Sequence, residues 1–241
     1  MFDMARKILI TNDDGVFADG LIRLAKAAKE FGEVWVVAPE SQRSAASHTI
    51  TLHKSFDVWK VDFPVEGVAA YACDASPADC VRVGVLNIVP GKPDVCFSGI
   101  NNGYNVASDL QYSATVGAAF EASFQKIPVI AFSECDKKSH EVTDRYLKEI
   151  IEKYIDKPHM KNQIWNVNFP GCTLAECKGV LEERKVSSDE FYKDSYNETK
   201  VSGERSTFMV EGKRNLDAAE GTDLKAVLGN FVSVGSVTNI S

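Results

Sequence analysis

The stretch Lys7-Ile-Leu-Ile-Thr-Asn-Asp-Asp-Gly15 decides the fold class of this chain. Lys7–Thr11 is a short apolar run rich in β-branched residues, and such a run bounded by turn residues predicts a buried strand. Asn12, Asp13 and Asp14 follow it without a spacer. Because ligands bind at the carboxyl ends of strands in open α/β sheets, these polar side chains are candidates for a binding site.

The adjacent carboxylates constrain what this stretch can do. Asp13 and Asp14 repel each other when both are charged, so they are stable as anions only with a cation or strong hydrogen-bond donors nearby. A hard divalent ion with oxygen ligands is the simplest such cation. The alternative is structural, because Asn, Asp and Gly are favoured turn residues and the same letters fit a turn that leads into a helix. These residues alone leave both interpretations open.

The surrounding pattern predicts an α/β fold. A helix is predicted from Gly20 to Phe31 and a second buried strand over Glu33–Ala38, which together with the first strand make a right-handed parallel unit. Further strands are predicted over residues 49–59, 68–73, 94–97, 128–133 and 163–169, and further helices over 76–87, 112–125 and 140–155. We therefore expect a Rossmann-like three-layer α/β/α fold with a mostly parallel sheet.

The chain is predicted to change character after Gly171. Residues 1–171 form the expected α/β catalytic core. Residues 172–241 combine short β-like pieces with a polar middle, which predicts a β-rich C-terminal extension or hairpin of the kind that serves as a dimerisation arm. A final strand over Asn230–Val234 is predicted to pack on the core, and a homodimer or homotetramer is expected.

Composition excludes several classes of function. The 241 residues carry a net charge of −7 with no basic block, so binding to a nucleic-acid duplex is not expected. The sequence has no apolar run of membrane-spanning length, and its first residues lack the apolar region of a signal peptide, which favours a cytoplasmic protein. The six cysteines include no C-x2-C pair, so neither a zinc site nor a disulfide framework is expected.

Two more polar loops follow predicted strands. Residues 39–48 contain several hydroxyls with Arg43 and His48, and residues 98–109 contain two glycines and three asparagines. A solvated loop is the ordinary interpretation of such segments, but their place after parallel strands puts them at the edge that carries Asp13 and Asp14. We expect the three loops to meet.

Hydroxyl residues also mark the start of two helices. Ser113 and Thr115 open the helix predicted to end near residue 125, where free backbone N–H groups and the helix dipole favour an anion. The alternative is that they only cap the helix. Ser76, Pro77 and Asp79 form a helix start of the usual capping type, so Asp79 is interpreted as structural.

Six motifs in order resemble the SurE family of survival-protein nucleotidases. They are Thr-Asn-Asp-Asp-Gly at 11–15, Val-Ala-Pro-Glu-x-x-Arg-Ser-Ala at 37–45, Thr-Ile-Thr at 49–51, Ser-Pro-Ala-Asp-Cys-Val at 76–81, Ser-Gly-Ile-Asn at 98–101 with Gly103 and Asn105, and Tyr-Ser-x-Thr-Val-Gly-Ala-Ala at 112–119. The likeness is strong over residues 6–135 and looser after 171. The chain departs from the pattern at Ala107 and Ala114, where glycine is expected.

The resemblance implies a divalent-metal-dependent phosphatase that acts on nucleoside monophosphates, a 5′/3′-nucleotidase using Mg²⁺ or Mn²⁺. The metal ligands carried over from the family are Asp13, Asp14, Ser44 and Asn101. The residues carried over as phosphate contacts are Asn12, Asn105, Ser113 and Thr115. An all-oxygen ligand set of this kind agrees with a hard cation.

The chemistry of phosphate esters agrees with this expectation. A divalent ion neutralises the anionic oxygens of a phosphate monoester and lowers the pKa of a bound water from ~15.7 to about 7. We therefore expect direct hydrolysis by a metal-activated water, with Asp13 or Asp14 as the catalytic residue that takes its proton. Two alternatives stay open: a phosphatase that forms an aspartyl-phosphate on Asp13, and a non-enzymatic nucleotide-binding regulatory domain on the same fold.

Overall fold

The computed structural model describes residues 5–136, 139–157 and 160–239. Residues 1–4, part of the N-terminal stretch predicted to lack a signal sequence, lie outside the described residues. The strands are β1 (Lys7–Thr11), β2 (Glu33–Pro39), β3 (Val58–Val61), β4 (Ala69–Cys73), β5 (Val95–Asn102), β6 (Val129–Glu134), β7 (Gln163–Phe169), β8 (Val180–Leu181), β9 (Tyr192–Ser202), β10 (Arg205–Arg214) and β11 (Val232–Thr238). The α-helices are α1 (Asp19–Ala28), α2 (Pro77–Val83), α3 (Ala114–Phe124), α4 (Glu141–Tyr154) and α5 (Asp223–Leu228).

In the part of the chain that the structure describes, the central sheet has nine strands in the order β3-β4-β2-β1-β5-β6-β7-β11-β8. Strand β1 lies inside the sheet and pairs in parallel with both β2 and β5. Its residues from Ile8 to Thr11 are all buried. A mostly apolar run of this kind is typical of a strand that is covered on both faces of the sheet. Antiparallel pairing in this sheet is found at β3–β4 and β11–β7. The predicted mostly parallel sheet is confirmed.

Helices cover both faces of the sheet. The apolar sides of α1 and α4 pack with one set of inward-facing strand residues, including Ile8, Ile10 and Phe97. The opposite set, which includes Leu9 and Cys96, packs with α2 and α3. The predicted three-layer α/β/α arrangement is therefore confirmed. Among the helices of the described residues, none has the length and apolarity needed to cross a bilayer.

The C-terminal part contains the predicted hairpin. Within the described ranges, strands β9 and β10 pair only with each other, in an antiparallel two-stranded sheet whose residues are all exposed. Strand β11 returns to the core and pairs antiparallel with β7. The division of the chain at residue 171 stays a prediction, because β11 belongs to the same sheet as the strands before that residue.

The strand predicted over residues 49–59 is mostly wrong. Only its last two residues belong to a strand, β3, which begins at Val58. The backbone N–H of Thr51 donates to the Asp79 carboxylate at 3.0 Å, and the Thr51 hydroxyl donates to the same group at 2.8 Å. A backbone N–H bonded to a side chain is not available to a neighbouring strand, so this segment is held as a loop. The structural role predicted for Asp79 is confirmed, because it also forms a capping box with Ser76.

Candidate functional site

Three loops meet at one edge of the sheet because their strands are parallel neighbours. Strands β2, β1 and β5 are adjacent in the sheet order, and the loops after their carboxyl ends begin at the same edge. The loop after β1 carries Asp13 and Asp14, the loop after β2 carries Ser44, and β5 ends with Asn101 and Asn102. The expectation that these loops share one edge is confirmed by this topology.

Asp13 is buried against the first turn of α3. Its side chain belongs to a residue that is only 3% exposed, and its Oδ1 accepts a hydrogen bond from the Thr115 hydroxyl. Burial raises the pKa of Asp13 to about 6; the Thr115 hydrogen bond lowers it and the Asp14 charge raises it further. The N-terminus of α3 also favours negative charge here. The fold thus holds a carboxylate whose charged form needs further stabilisation.

Asp14 is half-buried and joins the other two loops. Its Oδ1 accepts from Gln42 Nε2 at 3.2 Å, and its Oδ2 accepts from the backbone N–H of Asn102 at 3.1 Å. The Asp13 carbonyl oxygen accepts from the backbone N–H of Arg43 at 2.7 Å. Hydrogen bonds therefore tie the loop after β2 and the end of β5 directly to the acid pair.

These bonds join the acids to the sequence neighbours of the two remaining predicted metal ligands. Ser44 follows Arg43 in an exposed turn. Asn101 precedes Asn102 and is half-buried. Its Nδ2 donates to the Gly103 carbonyl at 2.9 Å, which orients the amide and leaves its oxygen as the free acceptor atom.

The donor set fits a hard divalent cation. It consists of two carboxylates, one amide oxygen and one hydroxyl, which are the ligand types that Mg²⁺ and Mn²⁺ take. In the described part of the chain, no salt bridge joins Asp13 or Asp14 to a basic side chain. Nor do three His, Cys, Asp or Glu side chains cluster as a metal site within those residues, so the predicted set relies on its serine and asparagine. The repulsion between the two acids is what a bound cation would offset.

Two of the predicted phosphate contacts use their side chains within the protein. Asn12 is fully buried; its Nδ2 donates to the Gly15 carbonyl at 2.9 Å and its Oδ1 accepts from the Gly15 N–H at 3.3 Å. Asn105 is buried too, and its Nδ2 donates to Ser133 Oγ at 2.8 Å. Its backbone is held by Asn166 and Asn168. Both asparagines shape the loops, and their contact with phosphate stays a prediction.

The other two predicted phosphate contacts lie at the start of α3. Ser113 is its N-cap, and the Ser113 hydroxyl accepts from the Val116 N–H at 3.1 Å. Thr115 is fully buried, and its hydroxyl donates a hydrogen bond to the Asp13 carboxylate. The capping interpretation is therefore observed for Ser113, while Thr115 orients an acid. A direct phosphate contact by either hydroxyl stays a prediction.

The loop after β2 is fastened to the outer side of α3. The Ser47 N–H and hydroxyl donate to the carbonyls of Tyr112 and Gln111 at 3.1 and 2.7 Å. A Cβ at Gly117 would lie 2.3 Å from the Ser47 carbonyl oxygen, so only glycine permits this approach. His48 Nε2 donates to the buried Glu121 at 2.9 Å. The loop that carries Ser44 is thereby fixed to the helix that orients Asp13.

Sequence reasoning missed three residues that build this site. Gln42 and Asn102 bind Asp14, and Glu121 anchors the loop through His48. Gln42 occupies one of the variable positions of the motif at 37–45, and Asn102 directly follows the motif at 98–101. Their places in the sequence therefore indicated a role in the site only weakly. Glu121 gave a stronger signal, because a charged residue in an otherwise apolar helix must find buried partners.

Glu121→Gln is expected to destabilise the protein at neutral pH. Burial raises the pKa of Glu121, but hydrogen bonds from His48 and Gln125 and the charge of Arg82 outweigh it, so the pKa lies below its ordinary value. The stabilisation is therefore present above the unfolded pKa and is lost as pH falls through the folded pKa. We expect a loss of about 1–3 kcal/mol at pH 7 that shrinks near pH 4, measured by urea unfolding. Glu149→Gln, at an exposed ion pair, is the control; an equal, pH-independent loss in both variants would contradict the assignment.

Comparison with known proteins agrees with the motifs. Residues 8–189 match the family model for Survival protein SurE. A relative from Clostridium botulinum (strain ATCC 19397 / Type A), named 5′-nucleotidase SurE, is 36% identical over 232 residues, covering 94% of this chain and 90% of that protein. A relative of the same name from Thermoanaerobacter sp. (strain X514) is 36% identical over 233 residues, covering 95% and 90%.

A solved structure gives the same result for the fold. The crystal structure of the SurE protein from Aquifex aeolicus aligns with a TM-score of 0.83 and 31% identity, over 98% of this chain and 94% of that one. The aligned region includes the sheet edge described above as well as the C-terminal hairpin. With the family model matched over residues 8–189 and relatives similar along nearly the whole length, the chain belongs to the SurE family of survival proteins.

Proposed function

We propose that this protein is a nucleotidase that hydrolyses nucleoside monophosphates to nucleoside and phosphate with the help of a divalent cation, Mg²⁺ or Mn²⁺. The observation that carries the proposal is the acid pair Asp13 and Asp14, which lies without a basic partner among the described residues where three loops converge. The curated relatives named 5′-nucleotidase SurE support the substrate class. Asp13, Asp14, Ser44 and Asn101 are the proposed ligands.

Each part of the site has a separate task in hydrolysis. A bound divalent cation would neutralise phosphate oxygens and lower the pKa of a coordinated water. Thr115 fixes the orientation of Asp13, while Gln42 and Asn102 fix Asp14. We expect either carboxylate to accept the proton that water loses as its oxygen bonds to phosphorus. The ester P–O bond breaks, and that proton passes to the nucleoside oxygen, which leaves as a hydroxyl.

The hairpin is proposed to serve as a dimerisation arm. Val210 pairs directly with Tyr196 and lies two residues from Phe208, so these three side chains share one face, which also carries Glu198 opposite Phe208. All three are more than half exposed, at 56%, 68% and 58%. An exposed apolar face on a projecting two-stranded sheet is a poor surface for a monomer and suits burial against another copy of the chain.

Asp13→Asn is expected to lower metal-dependent phosphate release by about 10²–10⁴-fold, because it removes both a ligand charge and a proton acceptor. The assay uses nucleoside 5′- and 3′-monophosphates with Mg²⁺, with Mn²⁺ and with EDTA. Asp62→Asn, at an exposed position, serves as the matched control. Full metal-dependent turnover by the Asp13 variant would refute the proposal, and a trapped phosphoryl-enzyme would point to the aspartyl-phosphate route instead.

Thr115→Val should weaken binding of the metal by about ten- to a hundredfold, because it removes the donor that orients a ligand without changing side-chain shape. Binding of Mn²⁺ is followed by electron paramagnetic resonance of the free ion, so the readout does not depend on turnover. Thr143→Val is the control, since Thr143 is also buried and also donates to a carboxylate, that of Glu134. Equal Mn²⁺ affinity in both variants would show that Thr115 does not position the ligand.

Replacing Phe208 and Val210 together by lysine is expected to convert a dimer or tetramer to monomers, because charges on the apolar face cannot be buried at an interface without pairing. Light scattering after size-exclusion chromatography measures the mass. Thr207→Lys, on the other face of the hairpin by alternation, should leave the assembly unchanged. A wild-type protein that is monomeric at micromolar concentration would rule out the arm.

A further inference from the structure

A cleft adjoins the proposed catalytic site on the side of Ser44. It has a volume of about 690 Å³. One wall is the segment 49–54 and the other is the segment 74–76; Arg43 and Ala46, which lie on either side of Ser44 in the sequence, line the cleft as well. None of the proposed metal ligands lines this cleft, so it is distinct from the site that holds the acids.

Both walls of the cleft are held by one buried carboxylate. Asp79, which is 3% exposed, accepts from the N–H and hydroxyl of Thr51 on one wall. It also accepts from the N–H and hydroxyl of Ser76 on the other wall, at 3.3 and 2.8 Å. A cleft whose two sides are bonded to the same group is formed before any ligand arrives, and preorganisation of this kind favours binding.

Arg43 is the unusual residue of the cleft. Its guanidinium has no carboxylate within salt-bridge distance among the described residues, and Nη2 donates to the Asp74 carbonyl at the long distance of 3.4 Å. Its Nε is buried, and no atom of the described part of the chain accepts from it. The Asp74 carboxylate, the acid that lines the cleft, already accepts from the Asp57 N–H. A buried donor without an acceptor is costly, and a charged guanidinium in a cleft is suited to an anionic ligand.

A second basic side chain agrees with an anion in the cleft. Lys54 also lines it and is exposed. A second cavity, of about 530 Å³, is lined by Asp14 and by Asp19, Glu134 and Asp136, whose carboxylates pair with Arg23 or Arg214. Arg43 and Lys54 themselves favour an anionic ligand group in the cleft.

The distance between the two sites is set by a single residue. The Arg43 backbone N–H binds the Asp13 carbonyl, while its side chain reaches into the cleft. A ligand group at the guanidinium would therefore lie about one arginine side chain away from the backbone that is bonded to Asp13. Within a nucleotide, two phosphates on one ribose are separated on a comparable scale, and Ile50 and Leu52 offer apolar surface to the remainder of the ligand.

We infer that this cleft binds a second phosphate of the substrate, so that the preferred substrates include nucleoside 3′,5′-bisphosphates. This inference rests on the proposed nucleotidase function. Arg43 determines specificity by binding the phosphate that is not cleaved, with Lys54 adding charge in the cleft. The reaction remains hydrolysis of one ester: water bonds through its oxygen to the phosphorus of the phosphate at Asp13 and Asp14, and that ester P–O bond breaks. The proton that water loses passes to the departing ribose oxygen, and the second phosphate stays on the product.

The test compares kcat/KM for a nucleoside 3′,5′-bisphosphate with kcat/KM for the corresponding 5′-monophosphate. In the wild type the ratio should exceed one. Arg43→Gln should lower this ratio by about ten- to a hundredfold, Arg43→Lys should restore part of it, and Lys54→Gln should lower it less. Arg145→Gln, at a distant exposed ion pair, is the control and should keep the wild-type ratio.

The outcomes separate this inference from the function on which it rests. A wild-type ratio below one, or a ratio unchanged in Arg43→Gln while both substrates are hydrolysed, overturns the second-phosphate site and leaves the nucleotidase intact. Absence of phosphate release from either substrate by the wild type overturns the proposed function itself. Lys54→Gln keeps the test decisive if Arg43→Gln does not fold, because it alters an exposed residue.

Discussion

The contact between Thr115 and Asp13 is the interaction on which the site depends. A carboxylate at a buried sheet edge, next to a second carboxylate, is unfavourable unless donors and a cation stabilise it. The first turn of α3 provides one donor, the Thr115 hydroxyl, because the N-terminus of this helix lies next to the loop that follows β1. The loop after β2 then lies on the same helix, through Ser47 and the Glu121 contact of His48. Helix α3 thus fixes the geometry of residues that are far apart in the chain.

Most of the fold was predictable because each strand of the core is followed directly by its polar loop. The run before Asn12 is apolar and short, and the same order recurs before Pro39 and Ser98. Parallel pairing then places the three loops together without further information. The loop conformation of segment 49–57 was not predictable. It depends on a hydrogen bond from the Thr51 N–H to Asp79, which lies 28 positions away, and a single sequence does not reveal such a bond.

The same limit applies inside the candidate site. The residue types of Asn12 and Asn105 fit a phosphate contact, yet the structure uses both side chains to hold loops. An asparagine that binds its own backbone and one that faces a ligand look alike in a sequence. Gln42 and Asn102 were missed for the converse reason, because they act on Asp14 through non-local bonds. Side-chain direction, rather than residue type, was the missing information.

The site leaves charges of both signs unpaired within a short distance. Asp13 and Asp14 have no basic partner in the described residues, and Arg43 has no acidic partner there, although the Arg43 N–H binds the Asp13 carbonyl. If these groups paired with one another, the free protein would be more stable, but neither the acids nor Arg43 would be available to bind a ligand. Their separation instead matches a ligand set with a cation at one end and phosphates next to it. The unpaired charges destabilise the free protein, and binding of a metal ion and a nucleotide would offset that destabilisation.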